Sequence, residues 1–193
     1  MIHISAHSFL FCCFVFSLPD CVGDLPLKNL DCARNAIECL PAVLPKSLEN
    51  LDVSFNKLTS LEPLQPCVQL VTLALDGNLL TGLAELPFDK LGRLLHLSAC
   101  ANAIETLPEE LGALDKMESL VVNGNLFTEV PATMASCKKL QAFKIDDCPV
   151  KDNKIKKYLA AGEMKNLLKY LEKSGGGAGG GGGGKKGKGG KKK

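Results

Sequence analysis

One spacing governs what this chain can fold into. The template L-x-x-L-x-L-x-x-N-x-L fits six times, starting at Leu27, Leu48, Leu70, Leu94, Met117 and Leu140, in steps of 21, 22, 24, 23 and 23 residues. All 24 apolar slots of the six copies are filled by apolar side chains, whereas a hydrophobic content of 46% would fill about half by chance. The ninth slot holds Asn35, Asn56, Asn78, Asn102 and Asn125, then Cys148. Self-similarity at a period in the low twenties signals a solenoid, in which each coil buries its apolar edge only against its neighbours.

Each slot has a physical reason. The L-x-L centre reads as a short strand whose alternate side chains point inward and stack on the next coil. The Asn amide, both donor and acceptor, satisfies backbone groups left unpaired where the chain turns off the strand. Cys148, with its weak S–H donor, reads as a degraded last copy. Five copies carry another apolar residue three positions on (Leu40, Leu61, Leu83, Leu107, Val130), and Pro41, Pro108 and Pro131 follow directly in three of them. Pro suits an extended or helix-starting segment on the convex side. Cys67 and Cys137 take a slot filled elsewhere by Leu91 and Leu114, and are expected in the core.

This pattern resembles the leucine-rich repeat in its short 22–24-residue cytosolic-type form. The resemblance implies an α/β solenoid: a horseshoe of about six coils with short parallel strands on the concave face. Four segments are expected. Residues 1–26 are an apolar N-terminal segment, 27–150 the repeats, 151–173 a helical C-terminal cap broken at Gly162, and 174–193 a disordered tail. In the cap, Ile155, Tyr158, Leu159, Met164, Leu167, Leu168 and Leu171 recur at helical spacing. The tail has 12 Gly and 6 Lys in 20 residues, too little apolar surface to order.

The N-terminal run Phe9–Phe16 fits the core of a secretory signal and is too short to span a bilayer, but no Lys or Arg precedes Lys28. It reads as a signal, a cap or an atypical start. Nine cysteines, scattered and without a zinc-type pair, fit free buried thiols in a reducing compartment. The expectation is cytoplasmic, with secretion as the alternative. Residues KLQAFKIDDCPVKDNKIKKYL and MKNLLKYLEKSGGG, followed by the Gly/Lys linker, resemble more specifically the N-terminal half of the leucine-rich repeat-containing protein 47 family. That resemblance implies a second, tRNA-synthetase-like B3/B4 domain that this chain lacks, so the chain is expected to be a fragment or truncated form. No tRNA chemistry is carried onto any residue.

The net charge of +2 hides an asymmetry: residues 1–173 hold 17 basic against 21 acidic side chains, and the tail adds six Lys. A globally basic nucleic-acid binder is excluded. Outward positions of the strand segments define a concave face where acids outnumber Lys and Arg seven to three. Asp31, Arg34, Glu49, Asp52, Phe55, Asp76, His96, Glu118, Val121, Lys144 and Asp146 are its candidate partner-binding residues, with Phe55 and Val121 as apolar anchors. The expected function is a non-catalytic, monomeric scaffold docking a protein partner, without cofactor or metal. Equally open is that these residues are merely solvated. His96 and Cys100 share a coil, but both face solvent without a pocket, so no enzyme is expected. The Gly run before Lys185–Lys186 has Lys where a phosphate loop needs Ser or Thr. A salt-sensitive RNA or anionic-surface contact through Lys185, Lys186, Lys188, Lys191, Lys192 and Lys193 is the alternative, against a solubilising linker.

Overall fold

The computed structural model describes residues 3–5, 8–10 and 15–175. Every copy of the template places one three-residue strand in a single sheet. In chain order these are β3 (Asn29–Asp31), β4 (Asn50–Asp52), β5 (Thr72–Ala74), β6 (His96–Ser98), β7 (Ser119–Val121) and β8 (Ala142–Lys144). Each pairs in parallel with its sequence neighbour, so Leu30, Leu51, Leu73, Leu97, Leu120 and Phe143 lie opposite one another in an unbroken inward column. That column is almost fully buried, as are the other template slots, and together they form one continuous core. Parallel strands need a crossover, and here the rest of each coil supplies it.

The sheet begins earlier than Leu27. β1 (His3–Ser5) pairs antiparallel with β2 (Ser8–Leu10), and β2 pairs in parallel with β3, Phe9 opposite Leu30. The N–H of Val15 donates to Asn35 Oδ1, Ser17 bridges to Cys39, and Leu18 and Val22 are buried in the core. The apolar N-terminal stretch therefore continues the sheet by a further turn, which the template does not reveal because no Asn marks it.

The Asn ladder works as the template requires. Asn125 Oδ1 accepts the N–H of Ile104 in the preceding coil, while its Nδ2 donates to Ala99 O of that coil and to Val122 O of its own. Asn56 repeats this with Ile37 N, Cys32 O and Val53 O, and Asn78 and Asn102 follow the same rule. In the last coil the Cys148 thiol donates to Val122 O at 3.2 Å, replacing the amide donor.

On the convex side, 3-10 turns run over Asp20–Asp24, Glu62–Leu64, Glu109–Ala113 and Ala132–Ser136. Pro108 and Pro131 are the N-caps of the last two. Gly112 lets these two turns stack, because a Cβ there would sit 2.5 Å from Thr133 O. The end of the solenoid is covered by α1 (Asn153–Ala160) and α2 (Met164–Gly175), separated at Gly162, whose φ is +67°. Asp152 caps α1 through the N–H of Lys154 and also accepts the Tyr170 hydroxyl at 2.7 Å, tying the two helices together. α2 lays Leu167, Leu168 and Leu171 onto the core beside the Ala132–Ser136 turn. It runs to Gly175, past the expected cap boundary, because Ser174 bonds back to Leu171 O and Gly175 packs on Ala132. The expected disorder over the rest of the tail lies outside the described residues.

Asn125→Ala should lower unfolding stability by on the order of 2 kcal/mol, since it strands the buried Ile104 N–H at roughly 1–3 kcal/mol, while Ala99 O keeps Asn102 and Val122 O keeps the Cys148 thiol. Cys148→Asn should raise it by about 1 kcal/mol by offering Phe127 N–H the acceptor that a thiol does not supply there. Urea unfolding of the full chain checks both; a neutral Asn125→Ala variant would break the ladder account.

Candidate functional site

Strand register places the outward side chains in straight columns along the concave face. Asp31, Asp52, Ala74, Ser98, Val121 and Lys144 form one column, and Asn29, Asn50, Thr72, His96, Ser119 and Ala142 the next. Thus Asp31, Asp52, Val121 and Lys144 share a line, with His96 beside it. Glu49 and Glu118 precede their strands, while Asp76 and Asp146 follow theirs on the turn side.

Several of these groups are already engaged. Asp76 Oδ1 accepts both the Ser98 hydroxyl and the Cys100 N–H at 2.6 Å, so this half-buried carboxylate ties the turn after β5 to the turn after β6. Asp31 and Asp52 each use one oxygen on a backbone N–H two residues on, at Ala33 and Ser54. Glu49 pairs with Lys28 at 2.9 Å, and that hydrogen bond and charge hold its carboxyl below the usual range. His96, Phe55, Lys144 and Asp146 are exposed, and Val121 is half-buried.

The residue before the ladder Asn is left-handed in every coil: φ is +58° at Arg34, +56° at Phe55, +62° at Gly77, +51° at Ala101, +65° at Gly124 and +58° at Asp147. The recurrence of Gly at Gly77 and Gly124, each just before its Asn, was the available signal. In this column the Arg34 guanidinium lies 4.6 Å from the centroid of the Phe55 ring, which also packs closely on Gly77 of the next coil. A Cβ on Gly77 would stand 2.7 Å from Phe55 Cδ1. Phe55 remains 50% exposed, an aromatic plate held between a cation and a bare backbone.

Cys100 has Ser98 Oγ 3.8 Å from its Sγ, and burial is the main cause pushing its thiol pKa up. A thiol shifted that way is a poor nucleophile. Among the described residues no group of three or more His, Cys, Asp or Glu is placed to hold a metal ion. The tail lysines Lys185, Lys186, Lys188, Lys191, Lys192 and Lys193 lie outside the described residues.

The family model described as Leucine Rich Repeat matches residues 47–67, the second coil of the template. The chain is a leucine-rich repeat solenoid. It is 30% identical over 128 residues to the mouse leucine-rich repeat transmembrane protein FLRT2, covering 64% of this chain and 19% of that relative. Among solved structures it resembles a Leptospira interrogans leucine-rich repeat protein, LIC12759, at 26% identity with a TM-score of 0.64, over 84% of this chain and 47% of that one. It also resembles the leucine-rich repeat ectodomain of the Arabidopsis thaliana membrane receptor kinase GASSHO1/SCHENGEN3, solved in complex with CASPARIAN STRIP INTEGRITY FACTOR 2. That match has 28% identity and a TM-score of 0.62, over 68% of this chain and 17% of that one. The repeat fold is commonly a protein-interaction scaffold. The chain spans less than a fifth of the FLRT2 relatives' length.

These relatives overturn the cytoplasmic expectation: by name they are transmembrane proteins of mouse, rat and human. The repeat length and unpaired cysteines that suggested it follow from core packing, which is the same on either side of a membrane. Among the described residues no helix is long and apolar enough to cross a membrane.

The cysteines carry a pH signature. Burial raises the thiols of Cys32 to about 12 and of Cys67 and Cys137 to about 11, from an ordinary 9.0, with nearby Asp31 and Asp52 adding to Cys32 and Asp115 to Cys137. The unfolded thiols ionise first, so stability is whole below pH 9 and falls as pH rises toward 11–12. Native-state alkylation at pH 8 should label exposed Cys21 and Cys39 and spare Cys32, Cys67 and Cys137. Mass spectrometry reads the pattern, and early labelling of Cys67 would contradict the closed core.

Proposed function

We propose that the concave face docks a protein partner, with the Phe55 plate as its central apolar contact. The observation that carries this reading is a half-exposed aromatic ring fixed between Arg34 and Gly77 beside the Asp31–Asp52 line. Interfaces draw most of their energy from a few such aromatic anchors, and fixing the ring beforehand reduces the entropy lost on binding. Asp31 and Asp52 lie on the neighbouring strand ends as an acidic rim that favours a moderately basic partner by setting encounter and register, with His96 and Lys144 farther along the face. A related ectodomain solved together with a named factor supports reading this class of face as a docking surface. The face does no covalent chemistry in this reading.

A finer assignment reads these coils as a repeat scaffold of the leucine-rich repeat-containing protein 47 type. The resemblance of the last coil, cap and linker to that family supports it.

Asp76→Lys is unsuited to testing the face, because Asp76 ties the turns after β5 and β6 together. Phe55→Gly is the better variant: glycine accepts a φ of +56° without strain, so folding is unaffected while the ring is lost. Partners crosslinked to the full chain in membrane and soluble extracts should be recovered roughly tenfold less well with this variant, with an unchanged melting curve. Equal recovery would remove the Phe55 region from the interface.

A further inference from the structure

Charge in this chain is divided by position along the solenoid. Residues 1–137 carry 7 basic and 16 acidic side chains, whereas residues 138–175 carry 10 Lys and 5 acids, without any Arg. Six more Lys follow in the sequence. The acidic concave coils and the basic end are thus separate surfaces of one molecule.

At the basic end, α2 presents Lys165, Lys169 and Lys173 at i, i+4 and i+8, all exposed. Four residues of helix advance about 6 Å, so these charges form a line along the face opposite buried Leu167, Leu168 and Leu171. None of the three has an acidic partner within ion-pair distance among the described residues. Lys138 and Lys139, just before the last coil, flank it. With Lys165 they edge a groove of about 710 Å³ floored by Leu140, Met164 and Leu168. Two acids, Glu118 and Glu163, line the same groove, Glu163 accepting from Asn166, and Glu172 lies 3.9 Å from Lys138.

We propose that this lysine strip binds the phosphate backbone of duplex nucleic acid, without reading its sequence. A row of Lys point charges suits phosphates contacted one by one, where bidentate recognition would call for Arg. A membrane surface fits less well, because an interfacial helix needs a free apolar face and α2 has spent its own on the core. Unstacked single strands fit less well too. The two aromatic rings of the cap pack on each other, 5.9 Å apart, and the Tyr170 hydroxyl is held by Asp152.

The experiment measures fluorescence anisotropy of a labelled 20-base-pair RNA duplex, and its DNA counterpart, against the full chain from 50 to 200 mM salt. The triple variant Lys165→Gln/Lys169→Gln/Lys173→Gln should weaken binding roughly tenfold and reduce the slope of log K against log salt by about 2.7. The matching Lys→Arg triple should retain the slope. Deletion of residues 176–193 is the separate arm: binding that vanishes with the tail and ignores the α2 triple overturns the proposal. So does capture by phosphatidylserine vesicles, or by heparin, with no affinity for either duplex. Phe55→Gly should leave duplex binding unchanged, which separates this surface from the concave face.

Discussion

A chain that reverses direction every 21 to 24 residues repeatedly strands backbone donors and acceptors at the end of each short strand. These groups are buried between coils, beyond the reach of water, so something in the coil must bond them. An Asn in every coil but the last does so, Asn56 for instance accepting an N–H from the coil before and donating to carbonyls of both coils. Aliphatic stacking supplies most of the free energy, but it is indifferent to small slips. The amide is directional, and it fixes where each coil sits on the last. The straight columns of the concave face follow from that registration.

Burial explains how much of this was legible. A slot that must be apolar, or must hold a two-way hydrogen-bonding group, leaves a mark at a constant period, so the six coils and the helical end could be read directly. Even the exception was readable, since Cys148 sits in the Asn slot and its thiol donates to Val122 O as an Asn amide would. The first strands were not legible. β2 pairs with β3 in register, but a run of Phe and Cys without an Asn reads equally well as a signal. Residue type also could not say that Asp76 is occupied, because a carboxylate bracing a turn and one facing solvent look alike in a sequence.

The surface is a different matter, because outward residues are released from the packing that makes the interior periodic. Their positions follow from the period, but their identities carry no internal check. Counting acids on the concave face treated every carboxylate as available, whereas Glu49 is paired and three aspartates are partly used by the fold. The basic end was hidden for the opposite reason. In the sequence its lysines are spread over a helical cap and a tail, and only the helix geometry gathers Lys165, Lys169 and Lys173 into one line.

The left-handed column gives the strongest hint of what the fold tolerates for the sake of a side chain. Glycine meets that backbone need freely and stands there in two coils, Gly77 and Gly124. Arg34, Phe55, Ala101 and Asp147 occupy the same position at a cost on the order of 1 kcal/mol each. Ala101 adds little beyond a methyl group. Arg34 and Phe55, in adjacent coils, stack on one another, and the neighbouring Gly77 is the one residue type that leaves room for the ring. Glycine at 55 and a side chain at 77 would fold with less strain at one site and more at the other, but without an exposed plate. The arrangement makes sense when the ring itself is what the coil has to present.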